Sequence, residues 1–251
     1  MKYITKKNNI NIFFYILLII IFIIFILIIL FLIINYYYGK IFHPCLISNS
    51  NEIFYIDVSL PSQNSITHFE KCMRDKGTIL NPKINFSNAK GKKMSYSELP
   101  TDIQKYYYSK KIQEDVSRAV GENVYYSDES EKYRIFARLY EDEDDFLDWH
   151  YDNNFTMGNR YTLVIPIIID KNNTSEFMIK DRLTGDEKVI PIPIGKGVVY
   201  NGSITYHSIS RQTKGSRRMV IIIPFYTNYK KNFIGNIREY IRNITDKNLT
   251  L

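Results

Sequence analysis

Tyr133-Arg-Ile-Phe-Ala-Arg-Leu-Tyr140 is the stretch on which the fold turns. Tyr133, Ile135, Ala137 and Leu139 alternate with Arg134, Phe136, Arg138 and Tyr140, and a period of two is the mark of a half-buried strand. Further β-rich runs follow at Tyr161–Ile169, Lys188–Ile194, Gly197–Tyr200 and Met219–Tyr226, parted by Gly, Asn, Asp and Lys. Upstream the pattern is different. Ile53–Leu60 reads as a strand, Ser65–Lys76 as a short helix and Asn81–Lys93 as a loop. A longer helix is expected over Thr101–Val120, with Pro100 beside its start, Ile112, Val116 and Val120 at i, i+4, i+8, and Gly121 to end it. A helix followed by many short strands argues for an α+β domain built on a β-sandwich or barrel.

Before this domain lies Ile12–Ile34, an unbroken run of Ile, Leu, Phe and one Tyr. At 1.5 Å per residue it would extend about 34 Å as a helix, enough to cross the hydrocarbon core. It exceeds the roughly 7–15 residues of a signal-peptide core, and no small-residue cleavage site follows. Asn35-Tyr36-Tyr37-Tyr38 instead resembles an interfacial aromatic belt. A single transmembrane helix is expected. Lys2, Lys6 and Lys7 precede it and Lys40 alone follows closely, so the positive-inside rule predicts a type II orientation with the large C-terminal part lumenal or extracytosolic. Triplets of the Asn-x-Ser/Thr kind fit that side but are expected by chance in so asparagine-rich a chain.

The formal net charge is +7, yet the basic residues are scattered with no run of five, so nucleic acid is not an expected partner. Two cysteines, Cys45 and Cys72, exclude a four-cysteine zinc site and a CxxC motif; whether they pair stays open. The expected organisation is a short cytosolic N-terminus (1–9), the anchor (10–38), a stalk or entry region (39–93), the α+β domain (94–229) and a tail (230–251). Phe233, Ile237, Ile241 and Ile244 give that tail the spacing of an amphipathic helix, expected to pack on the domain.

Two of the four histidines belong to one pattern. His150-Tyr151-Asp152 sets an imidazole and a carboxylate two residues apart, which an extended segment turns to the same face. His207 follows at the end of a strand-turn sequence, and Arg217 comes ten residues later at the mouth of the strand Met219–Tyr226. Two imidazoles and one carboxylate on one side of a metal make the facial triad of non-haem Fe(II) oxygenases, whose other positions stay open. The arginine offers a permanently charged fork for a carboxylate, such as the far end of 2-oxoglutarate.

These residues carry a family resemblance. Arg138-Leu-Tyr140, Phe146-Leu-Asp-Trp-His150-Tyr-Asp152, Arg160-Tyr-Thr-Leu-Val-Ile-Pro166, Gly197-Val-Val-Tyr200, His207 and Gly215-Ser-Arg217 resemble the 2-oxoglutarate/Fe(II)-dependent dioxygenases, and among them the prolyl 4-hydroxylase-like branch. The resemblance covers nearly half the chain. It implies a double-stranded β-helix (jelly-roll) core with supporting helices, and His150, Asp152 and His207 as iron ligands. It also implies Arg217 on the distal carboxylate of 2-oxoglutarate, with Tyr140 and Thr162 (or Tyr161 in a shifted register) lining the cosubstrate pocket. Arg218 is the adjacent rival, less favoured by the Gly-x-Arg spacing. Lysine is frequent at the Arg217 position in that branch, so arginine is a mild departure. Fe(II), 2-oxoglutarate and, as a further candidate, ascorbate are the implied cofactors, and a protein or peptide side chain, proline first, the implied substrate.

The same chemistry on lysine, a lipid or a small molecule is the alternative. So are a cupin-type metal protein without 2-oxoglutarate and a non-catalytic jelly-roll binding protein on a membrane. The family commonly has a glycine after the tyrosine; here the loop is Glu141-Asp-Glu-Asp-Asp145, read as a solvated turn or as a rim attracting a basic substrate.

Overall fold

The computed structural model describes residues 14–30, 52–82, 88–128, 131, 133–181 and 184–237. The chain divides into Met1–Asn49 and Ser50–Leu251. In the first unit residues 14–30 are helical and exposed throughout. Among the described residues no helix is long and apolar enough to cross a membrane. The rest of the expected anchor, Cys45, Ile241 and Ile244 lie outside the described residues.

In the second unit the elements run β1 (Ile53–Asp57), α1 (Gln63–Lys76), β2 (Thr78–Leu80), β3 (Ala89–Met94), α2 (Thr101–Tyr107) and α3 (Lys110–Val120). Then come β4 (Tyr125–Tyr126), β5 (Phe136–Tyr140), β6 (Phe146–His150), β7 (Arg160–Ile169) and β8 (Phe177–Lys180). The last are β9 (Glu187–Val189), β10 (Lys196–Asn201), β11 (Tyr206–Ile209) and β12 (Arg218–Tyr226). All pairings are antiparallel, in the order β1-β10-β7-β12-β5-β3-β6-β11-β8-β9, with β2 on β3 and β4 on β12. The sheet curls into a larger layer from β1 to β5 and a smaller one of β6, β11, β8 and β9. β3 joins them by pairing with β5 along one half and β6 along the other. This is a jelly-roll core with supporting helices, as the resemblance implies.

Strict alternation builds two cores. Leu163, Ile165 and Ile167 of β7, with Met219, Ile221, Ile223 and Phe225 of β12, face the helices, where they meet Ile66, Phe69 and Met73 of α1 and Ile112 and Val116 of α3. Val164 and Val220, the residues between, turn into the space between the layers and meet Leu147, Phe177, Ile179 and Ile209. Both faces of the larger layer are thus covered, which is why β7 and β12 are apolar almost throughout. At about 25 cal/mol per Å² of apolar surface, these buried faces supply the main driving force for folding.

The helix expected over Thr101–Val120 is two helices. The Tyr126 hydroxyl occupies the break: it accepts from the Ser109 N–H at 3.0 Å and faces the carbonyls of Tyr107 (2.9 Å) and Ser109 (2.8 Å). Ser109 then caps α3 by accepting from the Ile112 N–H, and Gly121 closes it at φ 73°. Ala89–Lys93, the end of the expected loop Asn81–Lys93, belongs to β3; its lysines mask the strand pattern while Ala89 and Met94 are buried. In the tail, residues 233–237 are helical and pack through Gly235, where a Cβ would come 2.3 Å from the Phe155 carbonyl. That approach leaves Phe233 and Ile237 exposed, the reverse of the expected packing face.

Candidate metal and cosubstrate site

His150 ends β6 and pairs directly with His207 of β11, so the ladder sets the two imidazoles side by side with ring centroids 4.2 Å apart. Asp152 has left the strand. Its N–H donates to the Gly202 carbonyl at 2.8 Å, which turns the chain back so that its carboxylate faces both rings. One donor atom from each of the three residues lies within 4.8 Å of the others.

The tautomers are fixed for metal binding. Nδ1 of His150 lies 2.8 Å from the Asp148 carbonyl, and Nδ1 of His207 lies 2.9 Å from that of Thr205. A carbonyl only accepts, so each Nδ1 carries hydrogen and each Nε2 presents a lone pair. Burial lowers the pKa of both imidazoles, that of His207 to about 4. Burial acts to raise the Asp152 carboxyl, but Arg160 and the two imidazoles outweigh it and hold its pKa at about 2. Near neutral pH the set is two neutral imidazoles and one carboxylate, which suits a divalent cation.

Asp152 is held tightly from behind. The Thr162 hydroxyl donates to Oδ2 at 2.5 Å, and Arg160 Nη2 lies 3.6 Å from the same oxygen. Arg160 also donates to the Asn153 carbonyl at 2.6 Å. Gly202 fits beneath the carboxylate, where a Cβ would stand 2.3 Å from Asp152 Oδ2 and 2.7 Å from Thr162 Oγ1. Thr162, expected to line a cosubstrate pocket, spends its hydroxyl on the Asp152 carboxylate. Tyr161 faces the helices and donates to Glu122.

The parity of β12 separates the two candidate arginines. Arg217 lies at the surface, where its guanidinium binds Asp170 (Nε to Oδ2 3.1 Å) and Glu70. Arg218 shares its face with Val220 and is buried between the layers. It pairs in register with Tyr140, donates through Nη1 to the Ser175 carbonyl at 3.0 Å, and has no partner for Nε. Burial presses its pKa down, against Tyr140, Tyr200 and Glu176. The triad and Tyr140 come to the interior together; Arg217 does not.

Tyr200, fully buried, links the two ends. Its ring centroid is 4.8 Å from that of His207, and Asp152, Arg160, Tyr140 and Arg138 all act on its phenol. Arg160, Arg218, Tyr200 and Gly202 are site residues that sequence reasoning did not select. Arg218 was named there as a rival to Arg217, and Arg160 and Tyr200 only as members of the resembling stretches. The Asn201-Gly202 pair signalled a turn and no more.

The acidic loop is partly spent on its own structure. Asp145 is buried and accepts the N–H groups of Glu141 and Asp142, while Glu141 binds Arg74 at 2.8 Å and Lys92 at 3.2 Å. Asp142, Glu143 and Asp144 are exposed.

No protein-family profile and no curated protein matches the sequence. Solved structures do. An oxidoreductase of the 2OG-Fe(II) oxygenase family from Burkholderia pseudomallei aligns over 73% of this chain and 89% of its own, with TM-score 0.53 and 10% identity. AviO1 from Streptomyces viridochromogenes aligns over 73% and 94%, with TM-score 0.52 and 12% identity. The non-haem α-ketoglutarate-dependent epimerase SnoN of nogalamycin biosynthesis aligns over 68% and 76%, with TM-score 0.50 and 12% identity. At these identities the likeness is one of backbone, and this chain has the fold of solved 2OG-Fe(II) oxygenases.

Proposed function

We propose that the chain is an Fe(II)- and 2-oxoglutarate-dependent dioxygenase that hydroxylates a C–H bond. The observation that carries this reading is the convergence of His150, Asp152 and His207, with Nδ1 of each imidazole engaged by a carbonyl and Nε2 left to present its lone pair. The donor set fits ferrous iron, and the remaining face of a triad would receive cosubstrate and oxygen. Bound iron and 2-oxoglutarate would supply the oxidising chemistry, with succinate and carbon dioxide as coproducts.

The protein's own residues divide the work. Thr162, Arg160 and Gly202 hold Asp152 in place and keep it ionised. Arg218, beside Tyr140, is the residue we assign to the distal carboxylate of 2-oxoglutarate, in place of Arg217. It is enclosed between the layers with Nε unpaired, whereas Arg217 already has two carboxylates. Val164, Val198 and Val220 keep water from the interior around it.

The substrate assignment, a protein side chain with proline first, rests on the resemblance in sequence. A lysine substrate loses part of its support, because Glu141 and Asp145 serve the loop itself. The Ile12–Ile34 run supports a membrane anchor in type II orientation, placing the catalytic unit lumenally. Full-length protein in detergent, mixed anaerobically with Fe(II) and 2-oxoglutarate, should show a visible charge-transfer band that His207→Ala abolishes. A band absent from the wild type, or unchanged in that variant, refutes the reading.

A further inference from the structure

Arg138, half-buried with two of its nitrogens enclosed, is a charged group with no task in the mechanism above. Alternation along β5 sends Ala137 and Leu139 to the helices and Arg138, with Tyr140, between the layers. Its neighbours across the sheet are Lys93 on β3 and Val220 on β12, so neither offers a counter-charge. Its Nε and Nη1 are enclosed and have no hydrogen-bond partner. Its charge acts on both His150 and Tyr200, so it stands on the histidine side of the space between the layers.

Buried polar atoms are almost always satisfied, and a buried charge without a counter-charge is costly. Here the imbalance is collective. Arg138, Arg160 and Arg218 each have an unpartnered Nε, and of the three only Arg160 stands against a buried carboxylate, that of Asp152. Glu176 acts on Arg218 only from the surface. A divalent metal and a dianionic cosubstrate would cancel in net charge, which leaves both Arg218 and Arg138 as excess positive charge; what separates them is whether their donors find an acceptor. Asp152 balances Arg160, and the cosubstrate's distal carboxylate is paired with Arg218. Arg138 is left over with its donors unmatched.

We propose that Arg138 is a second anion-binding residue, which receives a carboxylate carried by the substrate next to the C–H bond that is oxidised. This rests on the dioxygenase reading and narrows its substrate class to carboxylate-bearing molecules. The guanidinium fork matches a carboxylate through two parallel hydrogen bonds, which would engage the two enclosed nitrogens. Fixing the substrate by its charge beside the metal would also fix which carbon faces the metal.

The test uses full-length protein in detergent, loaded with Co(II) and saturated with 2-oxoglutarate, and follows the visible Co(II) spectrum. Acetate is titrated as the smallest carboxylate and acetamide as its neutral match. The blocked peptide acetyl-Gly-Asp-Gly-amide serves as a third titrant, to distinguish a peptide side chain from a small acid. Acetate should give a saturable change that acetamide does not. Arg138→Gln should weaken acetate at least tenfold while 2-oxoglutarate affinity stays within threefold, and Arg138→Lys should retain part of the acetate response. Response to the peptide assigns the carboxylate to a peptide; response to acetate alone assigns it to a small acid. The proposal is overturned if acetate produces no more change than acetamide. It is also overturned if Arg138→Gln weakens 2-oxoglutarate and leaves acetate unaffected. Failure of the wild type to bind Co(II) or 2-oxoglutarate would strike the dioxygenase reading instead.

Discussion

Gly202→Ala is the smallest change expected to disable the metal site. The added Cβ would lie 2.3 Å from Asp152 Oδ2, 2.7 Å from Thr162 Oγ1 and 3.0 Å from Asp152 Cβ. Ordinary carbon–oxygen contact begins near 3.3 Å, so the carboxylate must withdraw by about 1 Å. Metal–ligand distances tolerate about 0.2 Å, so the shift exceeds what the ligand set can absorb. It would also strain the 2.5 Å Thr162 bond and the 2.8 Å bond from the Asp152 N–H. Disrupting the support of a metal ligand costs roughly 10–100-fold in affinity, or about 1.4–2.8 kcal/mol. Overpacking should take a further 1–3 kcal/mol, roughly, from the metal-free fold. The assay is anaerobic Co(II) titration beside thermal unfolding with and without metal. In an Asp152→Ala background the same glycine change should cost less stability, because the crowded carboxylate is gone. Metal binding by Gly202→Ala within threefold of wild type would refute the argument.

Three further outcomes follow from the geometry. Arg218→Ala should weaken 2-oxoglutarate by at least tenfold in a binding titration, whereas Arg217→Ala should leave it within threefold and lower thermal stability slightly, as an exposed ion-paired residue does. In acid, His207 takes up its proton near pH 4 in the fold and near 6.5 when unfolded, so the unfolded chain binds more protons between these values. Stability of the metal-free protein should therefore fall as pH drops from 6.5 toward 4, read by denaturant unfolding, and His207→Asn should flatten that slope. Tyr126→Phe removes the hydroxyl between α2 and α3 and leaves the Ser109 N–H unpaired; a loss of about 1–3 kcal/mol in unfolding free energy is expected, with metal affinity unchanged.

The triad was legible because its spacing is local chemistry. His150 and Asp152 stand two apart, and a strand ladder brings His207 across. A β-sandwich or barrel was legible from alternation at Tyr133–Tyr140 together with the strands that follow, and the family resemblance narrowed it to a jelly roll. Which of Arg217 and Arg218 turns inward was not legible. Met219-Val-Ile-Ile-Ile is apolar on both faces, since one meets helices and the other the second layer, so hydrophobic pattern carries no parity there. Spacing from the glycine pointed to Arg217, and Arg217 is held at the surface by acids from two distant elements, Glu70 on α1 and Asp170 after β7. The break at Tyr108–Ser109 was hidden for a similar reason, because the hydroxyl that stabilises it comes from Tyr126, seventeen residues on. Gly202 was invisible as a site residue because its role is an absent side chain.

The division of the core into two layers has a thermodynamic consequence. Both histidines belong to the smaller layer, while Arg218, Tyr140 and Thr162 belong to the larger, and among the described residues β3 alone is hydrogen-bonded to both. A molecule held at once by metal and by Arg218 would therefore act as a strut between halves that share one seam. Its binding free energy, about 2.7 kcal/mol at a hundredfold excess over Kd, would be drawn on whenever the halves part. Amide hydrogens of β8 and β9, farthest from the seam, would then report cosubstrate supply through the rate at which they exchange.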